Sequence, residues 1–157
     1  MVTSQGYREA EKAQREIARA QYLASIVAPS PLKGEADALL RRAQQELQAQ
    51  AYFRAKELAK ASTKIYEALR FLEGAPRQAV PQDPMGRKAY KAPYRAQEAI
   101  ARAEYEASYY RVNQPLVGRL LKEAKGLLNS GSDLARAEAA HRLAHAAHHL
   151  VKAERGF

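Results

Sequence analysis

Cysteine is absent from the 157 residues of this chain, which excludes disulfide bonds, thiolate metal sites and cysteine nucleophiles. Tryptophan is absent as well, and no apolar run approaches the roughly 20 residues that a membrane-spanning helix needs. The chain has no Gly-rich phosphate-binding loop, and its helical serines and threonines have no histidine nearby in sequence. These absences favour a non-enzymatic protein that needs no cofactor.

β-branched residues are also scarce, whereas alanine, leucine, glutamate, glutamine, arginine and lysine dominate. These six residues have the highest intrinsic helix propensities, so long windows of the sequence favour helix. The length suits one domain, or two small repeats that share a core. The composition therefore predicts an all-α fold.

One stretch of thirteen residues occurs twice, 83 residues apart. Residues 13–25 read AQREIARAQYLAS and residues 96–108 read AQEAIARAEYEAS, with nine identical positions. The identical positions include Gln, Ile, Arg, Tyr and Ser, which an alanine-rich composition does not explain. We therefore predict two tandem three-helix repeats that form a helical bundle or hairpin array. Residues 1–74 form the first repeat, 75–91 a basic linker with prolines and glycines, and 92–157 the second repeat.

Prolines and caps place the helix boundaries. Proline disfavours helical geometry in the residue before it, so Pro29 ends helix 1. Helix 4 begins around Ala92 and Pro93, because proline is tolerated in the first turn of a helix, and Ser132 would cap helix 6. A turn near residues 48–51 would separate helices 2 and 3, although no glycine or proline marks it and one continuous helix is an alternative.

Each half shows the same succession of motifs. An alanine-seamed helix is followed by a proline-containing turn, a helix with paired leucines (residues 36–43 and 119–124) and a helix that opens with Arg-Ala (54–59 and 136–140). The pattern resembles two copies of the alanine-rich helical domain of unknown function in bacterial envelope lipoproteins, and also tetratricopeptide-like hairpins. The resemblance implies a protein-binding or scaffold module of the periplasm or cell envelope, and without it we expect a cytoplasmic protein. A homodimer is a further hypothesis if one alanine seam stays exposed.

All four histidines fall within nine residues near the C-terminus. Helical spacing puts them on one stripe, together with a glutamate. The candidate metal ligands on this stripe are Glu138, His141, His145, His148 and His149. Imidazoles four residues apart can bind a divalent metal, and Glu-x-x-His occurs in di-iron bundles, but the first repeat has Lys56 and Ala59 at the matching positions. The alternative is a solvated or partner-facing stripe.

The middle of the chain is its most densely basic part. Residues 1–74, 75–93 and 94–157 each contribute +3 to a net charge of +9, although the second stretch is much the shortest. The candidate partner- or nucleic-acid-binding residues there are Arg87, Lys88, Tyr90, Lys91, Tyr94 and Arg95. Cations can neutralise phosphates while tyrosine rings stack on unpaired bases, as in single-strand binders. The alternative is a solvated linker whose tyrosines cover the gap between the repeats.

Nine tyrosines against three phenylalanines form a skewed aromatic set. Tyr22 and Tyr105 occupy equivalent positions of the two repeats. A buried tyrosine needs a partner for its hydroxyl group, so we expect most tyrosines at helix–helix margins, or else around a groove for a peptide or small ligand.

Three functional hypotheses follow. The first is a non-enzymatic interaction module whose partner is another protein. The second is a basic nucleic-acid-binding protein that uses residues 87–95. The third is a metal-binding helical bundle that uses the histidine stripe.

Overall fold

The computed structural model describes residues 4–74, 87–131 and 133–156, with side chains from residue 6 and, after the gap, from residue 91. These ranges contain six α-helices and no β-strand, which confirms the all-α fold. The helices are α1 Ser4–Ile26, α2 Pro31–Gln48, α3 Tyr52–Leu72, α4 Arg87–Tyr109, α5 Pro115–Ser130 and α6 Leu134–Arg155. No helix in the described ranges is long and apolar enough to cross a bilayer.

Two central helices organise the bundle. α3 packs against α1 and α2, α6 packs against α4 and α5, and α3 and α6 make the most extensive contact with each other. The backbones of α1 and α4 do not approach each other within the described ranges, so a groove separates them above the α3–α6 pair. Corresponding helices have corresponding neighbours in the two halves, while the duplication itself stays a prediction from sequence.

Alanine supplies much of the buried surface. Ala13 and Ala20 on α1 and their repeat equivalents Ala96 and Ala103 on α4 are fully buried, as the periodicity predicts. Small residues bury little area each, but they allow helices to approach at the short end of the usual spacing of about 8–10 Å. These alanine positions are covered by the chain's own helices, so they do not supply the exposed seam on which the homodimer hypothesis depends.

The turn between α2 and α3 is confirmed at residues 49–51, and one continuous helix is excluded. Gln50 has a φ of 65°, which lies in the left-handed region that residues other than glycine rarely adopt. The N–H of Ala51 donates to the carbonyl of Glu46, which satisfies one of the last acceptors of α2. A helix C-terminus thus forms here without the glycine that usually marks one.

Two predicted boundaries are wrong. α4 begins at Arg87 rather than near Ala92, so residues 87–91 are helical and Pro93 lies inside the helix. Arginine, lysine and alanine all favour helix, which outweighs the loss of one N–H donor at Pro93 close to the helix start. The N-cap of α6 is Asp133, and Ser132, which we expected there, lies outside the described residues.

Gln50→Gly should stabilise the protein, because glycine adopts a positive φ without steric cost. We expect the free energy of unfolding to rise by about 0.5–1 kcal/mol. The matched control is Gln44→Gly inside α2, which should lower it by about 1 kcal/mol. Urea unfolding followed by circular dichroism measures both, and a loss of stability in both variants would contradict the turn geometry.

Candidate functional site

Two cavities of about 360 and 220 Å³ lie on the α4 side and the α1 side of the groove, and His149 lines both. The cavity on the α1 side is lined by Glu16, Arg19, Lys60, Thr63, Lys64 and His149. The cavity on the α4 side is lined by Arg95, Glu98, Ala99, Arg102, His141, His145, His148 and His149. We call the two cavities together the histidine groove.

The floor of the groove is the histidine stripe of α6. Helical spacing places the rings of His141 and His145 together, with centroids 4.3 Å apart. His148 and His149 follow one turn later, with centroids 5.2 Å apart. All four side chains are partly buried. The stripe is therefore the base of a concave surface rather than a convex solvated face.

A buried carboxylate that the sequence did not reveal holds His149. Glu57 on α3 is completely buried, and its Oε2 lies 2.6 Å from Nδ1 of His149. Nζ of Lys152 lies 3.4 Å from Oε1 of the same carboxylate. Burial acts to raise the pKa of Glu57, but the hydrogen bond from His149 and the charge of Lys152 hold that pKa below its ordinary value. An imidazole whose Nδ1–H donates to a carboxylate is fixed in orientation.

His148 has the same arrangement with a carboxylate from the opposite wall. Its Nδ1 lies 3.0 and 3.1 Å from the two carboxylate oxygens of Glu106 on α4. Nη1 of Arg155 lies 3.8 Å from Glu106. Two neighbouring histidines are thus anchored to α3 and α4, and both rings line the groove.

Three of the four histidine side chains have a pKa below the ordinary value. Burial, together with the charges of His141 and Lys64, lowers the pKa of His145 to about 4. Burial also lowers the pKa of His141 and His149, although in His149 the hydrogen bond to Glu57 acts in the opposite direction. These three side chains are therefore neutral near neutral pH, and the charge of the groove comes from other residues.

Cations dominate the groove lining, with five of them against two carboxylates. The cations are Arg19, Lys60, Lys64, Arg95 and Arg102, and the carboxylates are Glu16 and Glu98. Arg95, Arg102 and Lys60 have no ion-pair partner within the described residues. Arg19 and Lys64 share one carboxylate, Glu67, at 3.5 and 3.3 Å. The net charge of the lining is positive, which favours an anionic occupant.

The predicted metal ligands do not converge. Among the residues that the structure describes, no three carboxylate, imidazole or thiol groups could hold a metal ion together. Glu138 instead forms an ion pair with Arg142, at 3.1 Å, and His148 and His149 bond to other carboxylates. A cation in the groove would also face the surrounding lysines and arginines, so the electrostatics of this surface oppose the metal hypothesis.

The predicted basic stretch contributes one residue to the groove. Arg95 lines the α4-side cavity, and Lys91 and Tyr94 are exposed on the same helix. The other three predicted residues have side chains outside the described ones. These are Arg87, Lys88 and Tyr90. Of the six predicted residues, the structure thus places Arg95 in the lining of the groove.

We expected most tyrosines at helix–helix margins or around a groove, but most of the described tyrosines are exposed. Tyr22 and Tyr105 are 65% and 67% exposed, and Tyr109, which is 66% exposed, stacks on Tyr105 at 5.9 Å between ring centroids. Tyr66 alone among the described tyrosines is fully buried, and its hydroxyl donates to Asp37. Tyr22 and Tyr105 lie on the two helices that flank the groove, and exposed tyrosines are enriched at binding surfaces.

Comparison with protein-family models, with curated proteins and with solved structures gives no significant match to this chain. The fold and the groove define its class, a small all-α protein with a cationic interhelical groove. The resemblance to envelope lipoprotein domains stays a prediction.

Acid should destabilise the fold through the groove histidines. Below about pH 6.5 the unfolded chain protonates its histidines, while folded His145 stays neutral down to about pH 4. The folded state then binds fewer protons, so the free energy of unfolding should fall between about pH 6.5 and 5, above the carboxylate range. In His145→Gln this decline should shrink, by on the order of 1 kcal/mol. Unfolding curves at several pH values that coincide for both proteins would contradict the assignment.

Removing the buried carboxylate should be costly. Glu57→Gln removes the buried carboxylate that accepts from His149 and that lies beside the partly buried Lys152, so we expect a loss of about 2 kcal/mol in the free energy of unfolding near neutral pH. Glu98→Gln, the control, alters an exposed carboxylate of the same groove and should change stability by less than about 0.5 kcal/mol. Equal effects of the two substitutions in chemical unfolding would show that the Glu57 network is not structural.

Proposed function

We propose that this protein is a non-enzymatic helical binding module whose histidine groove takes an anionic partner. The observation that carries the proposal is the position of two arginines. Arg19 and Arg102 occupy the same position of the duplicated stretch, and they line the groove from opposite walls. The part of the sequence that the chain repeats therefore supplies matched cations to one surface.

The chemistry of the lining supports an anionic ligand. The arginine guanidinium presents several N–H donors in a fork that matches carboxylate and phosphate oxygens. Arg95 and Arg102 have no ion-pair partner in the described part of the chain, so an incoming anion replaces no existing pair on the α4 side. The neutral histidines add polar groups to the floor without adding charge that would repel the arginines.

Two classes of partner fit this chemistry. An acidic segment of another protein is the partner that the resemblance to envelope modules implies. A nucleic acid is the partner that the basic composition implies. Either would bind with an affinity that decreases as salt increases, because both exchange counterions for arginine and lysine.

Substitution of both matched arginines should weaken anion binding. Arg19→Ala with Arg102→Ala should lower the affinity for a labelled anionic probe by about tenfold or more at moderate salt, since two direct contacts are lost. The probes are a poly-glutamate peptide and an oligo-deoxythymidine of equal charge, and fluorescence anisotropy gives the affinities.

The matched control removes two charges elsewhere. Arg41→Ala with Lys122→Ala alters exposed side chains of α2 and α5, which do not line the groove. This variant should bind within about twofold of the unaltered protein. Binding of neither probe, or equal weakening by both double substitutions, would overturn the proposal.

A further inference from the structure

We propose that the anionic partner is a single-stranded nucleic acid, with phosphates in the two cavities of the histidine groove and bases on the exposed tyrosines that follow Arg19 and Arg102 on α1 and α4. The inference rests on the proposed function, because it assigns a chemical class to the anion. Each step depends on a separate feature of the groove: a buried hydroxyl, a pair of adjoining cationic cavities and a repeated Arg-x-x-Tyr motif.

The first feature is the hydroxyl group of Thr63. This side chain is 3% exposed, it lines the α1-side cavity, and its Oγ1 has no hydrogen-bond partner within the described residues. A helical threonine usually donates to a carbonyl of the preceding turn, and an unsatisfied buried hydroxyl is unfavourable. Threonine hydroxyls are frequent donors to phosphate oxygens. The cavity is therefore lined by a threonine whose buried hydroxyl lacks an acceptor in the described part of the chain, and we assign a phosphate oxygen as that acceptor.

The second feature is that two cationic cavities adjoin. Arg19, Lys60 and Lys64 surround the cavity that holds Thr63, and Arg95 and Arg102 line the next one. A nucleic-acid strand carries one charge per nucleotide at regular intervals, so a groove that binds it needs successive cationic positions. The two cavities, which share His149 in their linings, provide two such positions.

His141 adds a donor to the α4-side cavity. Its Nδ1 lies 3.4 Å from Nη1 of Arg142, and because arginine can only donate, this nitrogen accepts. The neutral ring then carries its proton on Nε2, which makes that nitrogen a donor. The α4-side cavity thus combines two guanidinium groups with an uncharged N–H donor, as expected for a phosphate site.

The third feature separates a nucleic acid from an acidic peptide. Each wall bears the sequence Arg-x-x-Tyr, as Arg19 with Tyr22 on α1 and Arg102 with Tyr105 on α4. Residues three apart are neighbours on a helix surface, so Tyr22 lies next to Arg19 and Tyr105 lies next to Arg102, and both rings are exposed. Bases stack on such rings, whereas glutamate side chains gain nothing comparable. A duplex keeps its bases stacked internally, so the arrangement favours a single strand.

The tyrosines provide the decisive test, with the oligo-deoxythymidine and poly-glutamate as probes. Tyr22→Ala and Tyr105→Ala should each lower the oligonucleotide affinity about tenfold and leave peptide binding unchanged. Tyr7→Ala, which removes a ring that is 62% exposed on α1 but has a serine instead of a groove arginine three residues before it, is the control and should change neither. Since the chain has no tryptophan, quenching of its tyrosine fluorescence by the oligonucleotide that decreases in Tyr22→Ala and Tyr105→Ala, but not in Tyr7→Ala, reports stacking on these rings.

Thr63→Val tests the phosphate position independently. Valine keeps the shape of threonine but lacks the hydroxyl, and because that hydroxyl has no partner in the described fold, stability should not decrease. Oligonucleotide affinity should fall about fivefold, which anisotropy measures alongside thermal unfolding. Unchanged oligonucleotide affinity in this variant would overturn the assignment of a phosphate to this cavity.

The outcomes distinguish this inference from the proposed function. Preferred binding of the oligonucleotide, weakened by the Tyr22 and Tyr105 substitutions, supports both. Poly-glutamate binding that equals or exceeds oligonucleotide binding, with all three tyrosine variants alike, overturns the nucleic-acid inference and leaves the groove as an acidic-peptide site. Absence of binding to either probe overturns both.

Discussion

The close packing of α3 against α6 is the contact on which the other features of this protein depend. Fully buried alanines on both helices, Ala61 and Ala68 on α3 and Ala139, Ala146 and Ala153 on α6, keep side-chain volume low between closely packed backbones. Because α3 and α6 cover each other's inner faces, α1 packs on the outer side of α3 and α4 packs on the outer side of α6. The groove between α1 and α4 thus results from the packing of the core, and its floor is a face of the central helix α6.

Glu57 couples the site to this packing. The carboxylate is buried on α3 and its partners His149 and Lys152 are on α6. A shift of one helix along the other would leave a buried charge without its partners, which costs several kcal/mol. We infer that the ion pair fixes the register of the two central helices while it orients an imidazole in the groove. One side chain therefore serves both the fold and the site.

The features that could be predicted from the sequence are the ones that periodicity and composition determine, namely the helices and their buried faces. Alanine and leucine spacing gave the helices and the buried faces of α1 and α4, and the break at residues 129–132 of the second half indicated the turn at residues 49–51. It missed Glu57 because a lone glutamate among lysines looks the same on a solvated face and in a core, and its partner His149 is 92 residues away. The predicted start of α4 was wrong because a rule based on proline does not show how far a helix extends before the proline.

The two halves of the molecule are held together by α3 and α6 in much the way that two subunits hold together in a dimer. In this view, the covalent connection between the halves acts by raising the local concentration of one half around the other. The groove itself needs both halves, because α1 and α3 supply most of the lining of one cavity while α4 and α6 line the other. The site is therefore assembled at the same contact that joins the halves.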